Sequence, residues 1–568
     1  MPKNPIEKYS LVYLFLIVLM FLAIVAPSLD KPFIIDEILF VKAADAINEK
    51  GIPVFINDES QRSLEGTWHP PLYMYILSGS FALFGVHEKS ARIVSVIFSI
   101  GTLLLIYFTS LKIFNKNNKK EFIALFASFI YAISPLVIQS SLLVDIDGSI
   151  LSFFTMLFSY FFLSYYEDLS LKKLLMLGFL LFLIIASKFQ GSFIIILSVF
   201  LFFVFQRKPA KAFVISSVIF FAGWIIFLIA WFIYASVFDV SFMAPFLHNF
   251  GILFGIGGVS SSVIHKILLM VWSLKNVVFW TTPPFFMLVI LVLFARIFSQ
   301  KKEWVPAAYF LVVGLITFIL FTLIQPSAYG FPKYFITMMP GFAICISYLF
   351  SSYSLKWDKH ALIVIIAIAA LTTSLNLFFV KDPFIAHNIF YTQKIDLSSN
   401  FLLYLNSNMQ GLIYFIPLAA SVVYLLLIRQ KLLQSLLIGS IIVLICTSIY
   451  INIVQINAPY STSYAYGQEG MMDAAAYIQR ITGNDEKIIS REDIAYYAKR
   501  SYYKSYPLGK ELKENFDDII KEKDIGYIVI SPSERLPDFS DHYTKVAEFG
   551  HFTIYGKKVN GNNEASSS

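Results

Sequence analysis

The sequence predicts an all-α polytopic membrane protein that ends in a small C-terminal α/β soluble domain. Three observations predict it. Hydrophobic residues make up 57% of the 568 and charged ones only 14%, with a mean hydropathy of +0.70, which leaves too little polar surface for a soluble globule of this length. The apolar residues fall in long runs, and a hydrocarbon core roughly 30 Å thick takes about 20 of them as a helix, the element that satisfies its own backbone hydrogen bonds. From about Tyr460 onward charge rises and the runs shorten.

The first run, Leu11 to Leu29, follows two lysines and lacks a small-residue cleavage site, so it is expected to be a retained signal anchor with the N-terminus in the cytoplasm. Asp36 to Lys50 places Ile38, Val41 and Ile47 along one side, with Lys42, Asp45 and Glu49 elsewhere. This is the pattern of an interfacial amphipathic helix. Pro71 to Gly85 is apolar but short, and counting it as a span would put Lys116, Lys119 and Lys120 outside. It is expected to skim the membrane, opened by Pro70-Pro71, where a missing amide costs least.

Basic connectors at Lys116 to Lys120, Lys172-Lys173, Arg207 to Lys211, Arg296 to Lys302, Lys356 to Lys359 and Arg429 to Lys431 all fall inside if pairs of spans separate them. Runs near 92–114, 122–139, 148–165, 174–188, 190–206, 213–236, 279–297, 305–325, 335–352, 361–380, 411–428 and 432–456 satisfy that condition. With the first run they make about thirteen helices. The odd number places the C-terminus outside, so residues 1–458 form the membrane domain and 459–560 an extracytoplasmic one. In the latter, Met471 to Ile481 and Leu512 to Lys521 read as helices, and Lys487 to Ser490, Ile525 to Ile530 and Phe552 to Tyr555 as strands. The tail 561–568 is expected to be disordered.

Several function classes are not supported. Cys345 and Cys446 lie within apolar runs and read as small core residues. The net charge of +7 sits in short loops, as membrane orientation demands, and implies no nucleic-acid partner. There is no phosphate-binding Gly-x-x-x-x-Gly-Lys loop, dinucleotide fingerprint or serine elbow.

The same topology gathers the suspicious polar residues on the outer face. Asp36-Glu37 and His69 fall in the first external loop, Asp145 and Asp147 in the second, Lys188 in the third and Lys333-Tyr334 in the fifth. Carboxylates in a helix's first turn are held ionised by its dipole, as a general base must be, although a plain N-cap gives the same pair. Asp145-Ile146-Asp147 has a spacing that holds a metal or caps the following helix. Lys188 and Lys333 either snorkel to headgroups or neutralise a phosphate. Arg92, one turn after Glu88, joins them or forms a surface pair. His69 has no metal-ligand spacing around it and suits a phosphate or sugar hydrogen bond.

Together these pieces resemble the superfamily of dolichyl-phosphate-mannose protein mannosyltransferases and lipid A aminoarabinose transferases, membrane glycosyltransferases of the GT-C fold. The match runs through Asp36-Glu37, His69-Pro70-Pro71-Leu72-Tyr73, Gly85 with Glu88 and Arg92, Asp147, Ala186-Ser187-Lys188 to Gly191, and Lys333-Tyr334 to Pro340. The resemblance implies inverting transfer from a polyprenyl-phosphate-linked sugar to an acceptor hydroxyl arriving from outside. Asp36 would take the hydroxyl proton and Glu37 would position it or the acceptor. Asp147 would hold the sugar or the loop, and Lys188, Arg92 and Lys333 would lie near the phosphate. Asp145, His69, Tyr73 and Tyr334 are also expected to contact substrate. A monophosphate leaving group carries less charge than a nucleotide diphosphate and can be stabilised by a few cations, so no metal or other cofactor is expected to be required.

An arginine is frequent in the family where Lys333 stands; lysine keeps the charge and loses the fork. The acceptor, a protein, a lipid or a cell-envelope glycan, would be chosen by Phe238 to Lys275, Lys381 to Gly411 and the C-terminal domain. Two rivals from other classes are a transporter and a non-catalytic scaffold with an external binding domain. Against the first, the midplane runs are nearly free of charge and no internal repeat is visible. For the second, Tyr460 to Tyr466, Tyr496-Tyr497 and Tyr502-Tyr503 supply contact aromatics.

Overall fold

The computed structural model describes residues 5–33, 36–56, 63–65, 69–243, 281–298, 304–324, 333–352, 432–457, 469–505, 514–522, 525–531 and 536–558, with isolated positions and short runs between them. At Asp36 it describes the backbone and not the side chain. Most of the expected runs near 361–380 and 411–428, most of Phe238 to Lys275, all of Lys381 to Gly411, Tyr460 to Tyr466 and the tail 561–568 lie outside the described residues.

Helix α1 (Ser10–Val25) is apolar all round and precedes α2 (Asp36–Lys50), which buries Ile38, Val41, Ala43 and Ala44 and packs on α3 (Leu72–Phe84). The 13 residues of α3 rise only about 20 Å, short of the hydrocarbon thickness. Gly85, at φ +82°, ends it. Helix α4 (Glu88–Ile113) starts in a capping box, where the Ser90 amide donates to His87 Nδ1 at 3.1 Å and the His87 amide to Ser90 Oγ at 3.2 Å.

After α4 the run expected as one span near 122–139 is broken rather than continuous. Helices α5 (Lys120–Ile133) and α6 (Pro135–Leu142) are bent by 62° where Pro135 removes a backbone donor. Gly148 starts α7 (Ser149–Tyr165), and a Cβ there would lie 3.2 Å from two backbone oxygens, those of Ser140 and Asp145. Between α8 (Leu171–Ser187) and α9 (Phe189–Phe205) a single extended residue, Lys188, interrupts the helix. The bundle continues with α10 (Pro209–Phe238), α11 (Pro283–Phe298) and α12 (Trp304–Ile319), the last prolonged by a π turn over Leu320–Ile324. A 3-10 segment, Lys333–Met338, leads into α13 (Met339–Ser352), and α14 (Leu432–Asn457) closes the membrane part.

Among the described residues six helices are long and apolar enough to cross a bilayer, or seven if the bent α5–α6 pair is one span. Helices of 16 or 17 residues, α7, α8, α9 and α11, occupy further runs where spans are expected. The molecule is a mostly helical, multi-pass membrane protein.

The C-terminal residues form a mixed sheet flanked by helices. In chain order they are α15 (Met471–Ile481), β1 (Lys487–Ser490), α16 (Glu492–Ala498), β2 (Ser501–Lys504), α17 (Phe516–Glu522), β3 (Ile525–Ile530), β4 (Tyr543–Phe549) and β5 (Phe552–Lys557). The sheet order is β2-β1-β3-β5-β4. Strand β1 runs parallel to β2 and β3, and the two remaining pairings are antiparallel. Ile488, Val529 and Ile554 face α15 on one side, while Ile489, Ile528 and Ile525 face α17 on the other. Helix α15 and strands β1 and β3 stand where the periodicity puts them; α16, β2 and β4 were not expected.

Candidate active site

Glu37, in the first turn of α2, is buried at 1% exposure and divides its two oxygens between two elements. One accepts from Arg92 Nη2 at 3.1 Å, and the other from the Val144 amide at 3.0 Å. Arg92, completely buried on α4, is thus the partner of Glu37 rather than half of a surface pair with Glu88. All five of its N–H groups go to protein oxygens. Besides Glu37, it donates to the carbonyls of Leu142 at 3.0 Å, Leu29 and Pro32 at 3.1 Å, and Lys31. An arginine so enclosed holds chain; it fastens the segment before α2 to the end of α6.

The loop that follows α6 is pinned residue by residue from that side. Arg92 takes the Leu142 carbonyl, Ser95 Oγ the Leu143 carbonyl at 2.8 Å, and Glu37 the Val144 amide. Asp145 Oδ1 then accepts from the Asp147 amide at 3.0 Å, and the Gly148 amide closes the turn on the Asp145 carbonyl at 3.1 Å. The turn aims both carboxylates at two lysines. Lys333 Nζ lies 2.6 Å from Asp145 Oδ2 and 3.7 Å from Asp147 Oδ2, and Lys188 Nζ donates to Asp147 Oδ1.

All four charged groups are buried, and each acid has a base, which is the condition for keeping charge in a dry interior. The Lys188 ammonium also sits 4.2 Å from the centre of the Tyr334 ring, which stacks on Phe321 at 5.4 Å. The helix break at Lys188 and the 3-10 start at Lys333 bring two lysines, 145 residues apart in sequence, to one carboxylate pair.

Tyr73 and His69 stand on the flank. The Tyr73 hydroxyl is 3.5 Å from Ser95 Oγ, and Phe40 packs edge-on against Tyr73 and stacks with His69 at 6.4 Å. Ser95, one turn from Arg92 on the same face, belongs to no motif in the sequence, and neither do Phe40 and Phe321. Among the described residues no three His, Cys, Asp or Glu side chains gather as a metal site.

Residues 68–236 match the family model for dolichyl-phosphate-mannose-protein mannosyltransferase. Among solved structures, the chain is similar to ArnT from Cupriavidus metallidurans bound to undecaprenyl phosphate, at 13% identity and a TM-score of 0.59, covering 97% of this chain and 98% of that one. It is likewise similar to apo ArnT from the same organism, at 12% identity and 0.56 over the same shares. Archaeal oligosaccharyltransferase AglB from Archaeoglobus fulgidus aligns at 13% identity and a TM-score of 0.48, over 93% of this chain and 70% of that one. No curated protein matches the sequence. At these identities the structural likeness is one of fold, and the likeness to the dolichyl-phosphate-mannose-protein mannosyltransferase family extends over residues 68–236, under a third of the chain.

Proposed function

We propose that this protein transfers a sugar, with inversion, from a polyprenyl-phosphate carrier to an acceptor hydroxyl at the extracytoplasmic membrane face. In this reading about thirteen spans leave the N-terminus inside and the site and C-terminal domain outside. The observation that carries it is the joining of Glu37, the neighbour of Asp36, to the lysine pair, through Arg92 and the pinned loop, in one buried network.

The chemistry divides among the groups as follows. Asp36 takes the proton of the acceptor hydroxyl as its oxygen bonds to the anomeric carbon. The bond from that carbon to the phosphate oxygen breaks, and its electron pair leaves with the polyprenyl phosphate. The added negative charge falls to Lys188 and Lys333, whose ammoniums are shared between Asp147, Asp145 and the phosphate oxygens. Among the described residues the Lys188 ammonium meets one oxygen and the face of the Tyr334 ring, which leaves N–H capacity for a phosphate. Glu37 and Arg92 keep the two loops in register. Asp145, His69, Tyr73 and Tyr334 shape the sugar and phosphate ends of the cavity.

No metal is required in this scheme, because the two carboxylates best spaced for one already carry lysines. Reconstituted protein offered several polyprenyl-phosphate sugars and a hydroxyl acceptor should yield a product of inverted anomeric configuration. A retained configuration, or no transfer from any such donor, would count against the proposal.

A further inference from the structure

The segment between α1 and α2 is held from two domains. Arg92 takes the carbonyls of Leu29, Lys31 and Pro32 from the membrane side. From the other side, the Phe33 amide donates to Tyr497 Oη at 2.5 Å, and Tyr497 sits on α16 of the C-terminal domain. The Tyr497 hydroxyl in turn donates to Glu88 Oε1, at the start of α4, at 2.8 Å. The Phe33 ring lies between the two holds, 5.2 Å from the Arg92 guanidinium and 6.4 Å, edge-on, from Tyr496.

A second tie reinforces the first. Lys42 on α2 meets Glu492 at 3.0 Å, whose other oxygen is 3.7 Å from Lys504. Asp36 follows Phe33 by three residues. Phe33 and Glu37, the two held residues, stand four positions apart in the sequence.

We propose that Tyr497 is a positioning residue for the transfer reaction, so that α16 of the C-terminal domain helps to set the place of Asp36 from outside the membrane. The proposal rests on the transferase reading for its kinetic consequence and on geometry alone for its structural one. Burial, and after it the Glu88 carboxylate, push the Tyr497 phenol well above its ordinary value, so it remains a donor at any working pH. Tyr497→Phe keeps the ring against Phe33 and Tyr496 and removes only the bridging hydroxyl.

The test compares wild type, Tyr497→Phe and Tyr543→Phe in the full-length protein. Tyr543 lies in the same domain, its hydroxyl on the Ile525 carbonyl at 2.7 Å within the sheet's own core, so it reports general weakening of that domain. Hydrogen exchange of a peptide spanning residues 29–40 should quicken in Tyr497→Phe and stay at the wild-type rate in Tyr543→Phe. With a polyprenyl-phosphate sugar as donor, kcat should fall about tenfold in Tyr497→Phe with donor KM within about twofold, the size of one bridging hydrogen bond.

Unchanged exchange at 29–40 in Tyr497→Phe overturns the proposal, and so does equal quickening in both variants. Quickened exchange in Tyr497→Phe alone, with a wild type that transfers no such sugar, upholds the positioning contact and sinks the transferase reading.

Discussion

Arg92 and Glu37 show what a buried charge does when its surroundings are polar enough. A guanidinium in the interior is tolerated because one carboxylate and four carbonyls surround it, and it orders three chain segments in return. Removing one side of the pair should therefore cost more than weakening it. Glu37→Leu is expected to destabilise the protein by about 3–5 kcal/mol, leaving a stranded guanidinium, and Glu37→Gln, which still accepts from Val144, by about 1–3 kcal/mol. Thermal unfolding in detergent measures both, and equal losses would contradict this account of the pair. The charged residues were legible because each stands out in an oily chain at the mouth of a run. Arg92's partners were not: Glu88, one turn away, competes in the sequence with Glu37, 55 residues away, and backbone carbonyls leave no sequence signal at all.

At the scale of elements, the site is built where helices stop. Pro135 and Gly148 bracket α6 and its loop, and their breaking character is readable. The interruption at Lys188 has no proline or glycine at the break itself; the lysine at the junction of the apolar runs 174–188 and 190–206 marks it in the sequence. Gly148→Ala should shift the loop carrying Asp145 and Asp147 by a few tenths of an ångström and lower kcat roughly tenfold, against a smaller change in melting temperature. A variant with wild-type kcat would show that the loop does not govern the chemistry.

In the C-terminal domain the three inner strands β1, β3 and β5 were legible from their apolar residues. Strand β4 was not, because an edge strand carrying Lys545 and Glu548 on its exposed face lacks the apolar alternation that marks a strand. Glu534 ties the ends of β2 and β3 together, its carboxyl bonded by Ser505 Oγ and by the Ser531 amide at 3.0 Å. Burial raises its pKa above the usual glutamate value, with Arg491 and those hydrogen bonds opposing. A group raised on folding stabilises below its unfolded pKa and loses that contribution as pH rises through the folded one. The stability advantage of Glu534→Gln over wild type should thus grow between pH 4 and 7, read from hydrogen-exchange protection of β2 and β3; a constant difference would contradict the shift.

For the whole molecule, a membrane bundle and a small mixed-sheet domain meet at Leu29 to Phe33, the residues that Arg92 and Tyr497 hold. Composition and run lengths made the bundle legible, and the change in composition near Tyr460 made the second domain legible. The contact between them was hidden, since Tyr497 and Phe33 lie 464 residues apart and neither belongs to a motif. Because Asp145 and Asp147 each carry a lysine, excess chelator should leave transfer within about twofold of its untreated rate, and its abolition would place a metal in the reaction. The central claim is that Asp36 is the acceptor base. Asp36→Asn in proteoliposomes, given a polyprenyl-phosphate sugar and a hydroxyl acceptor, is expected to transfer at least about a hundredfold more slowly while binding polyprenyl phosphate as wild type does; transfer at the wild-type rate would contradict it.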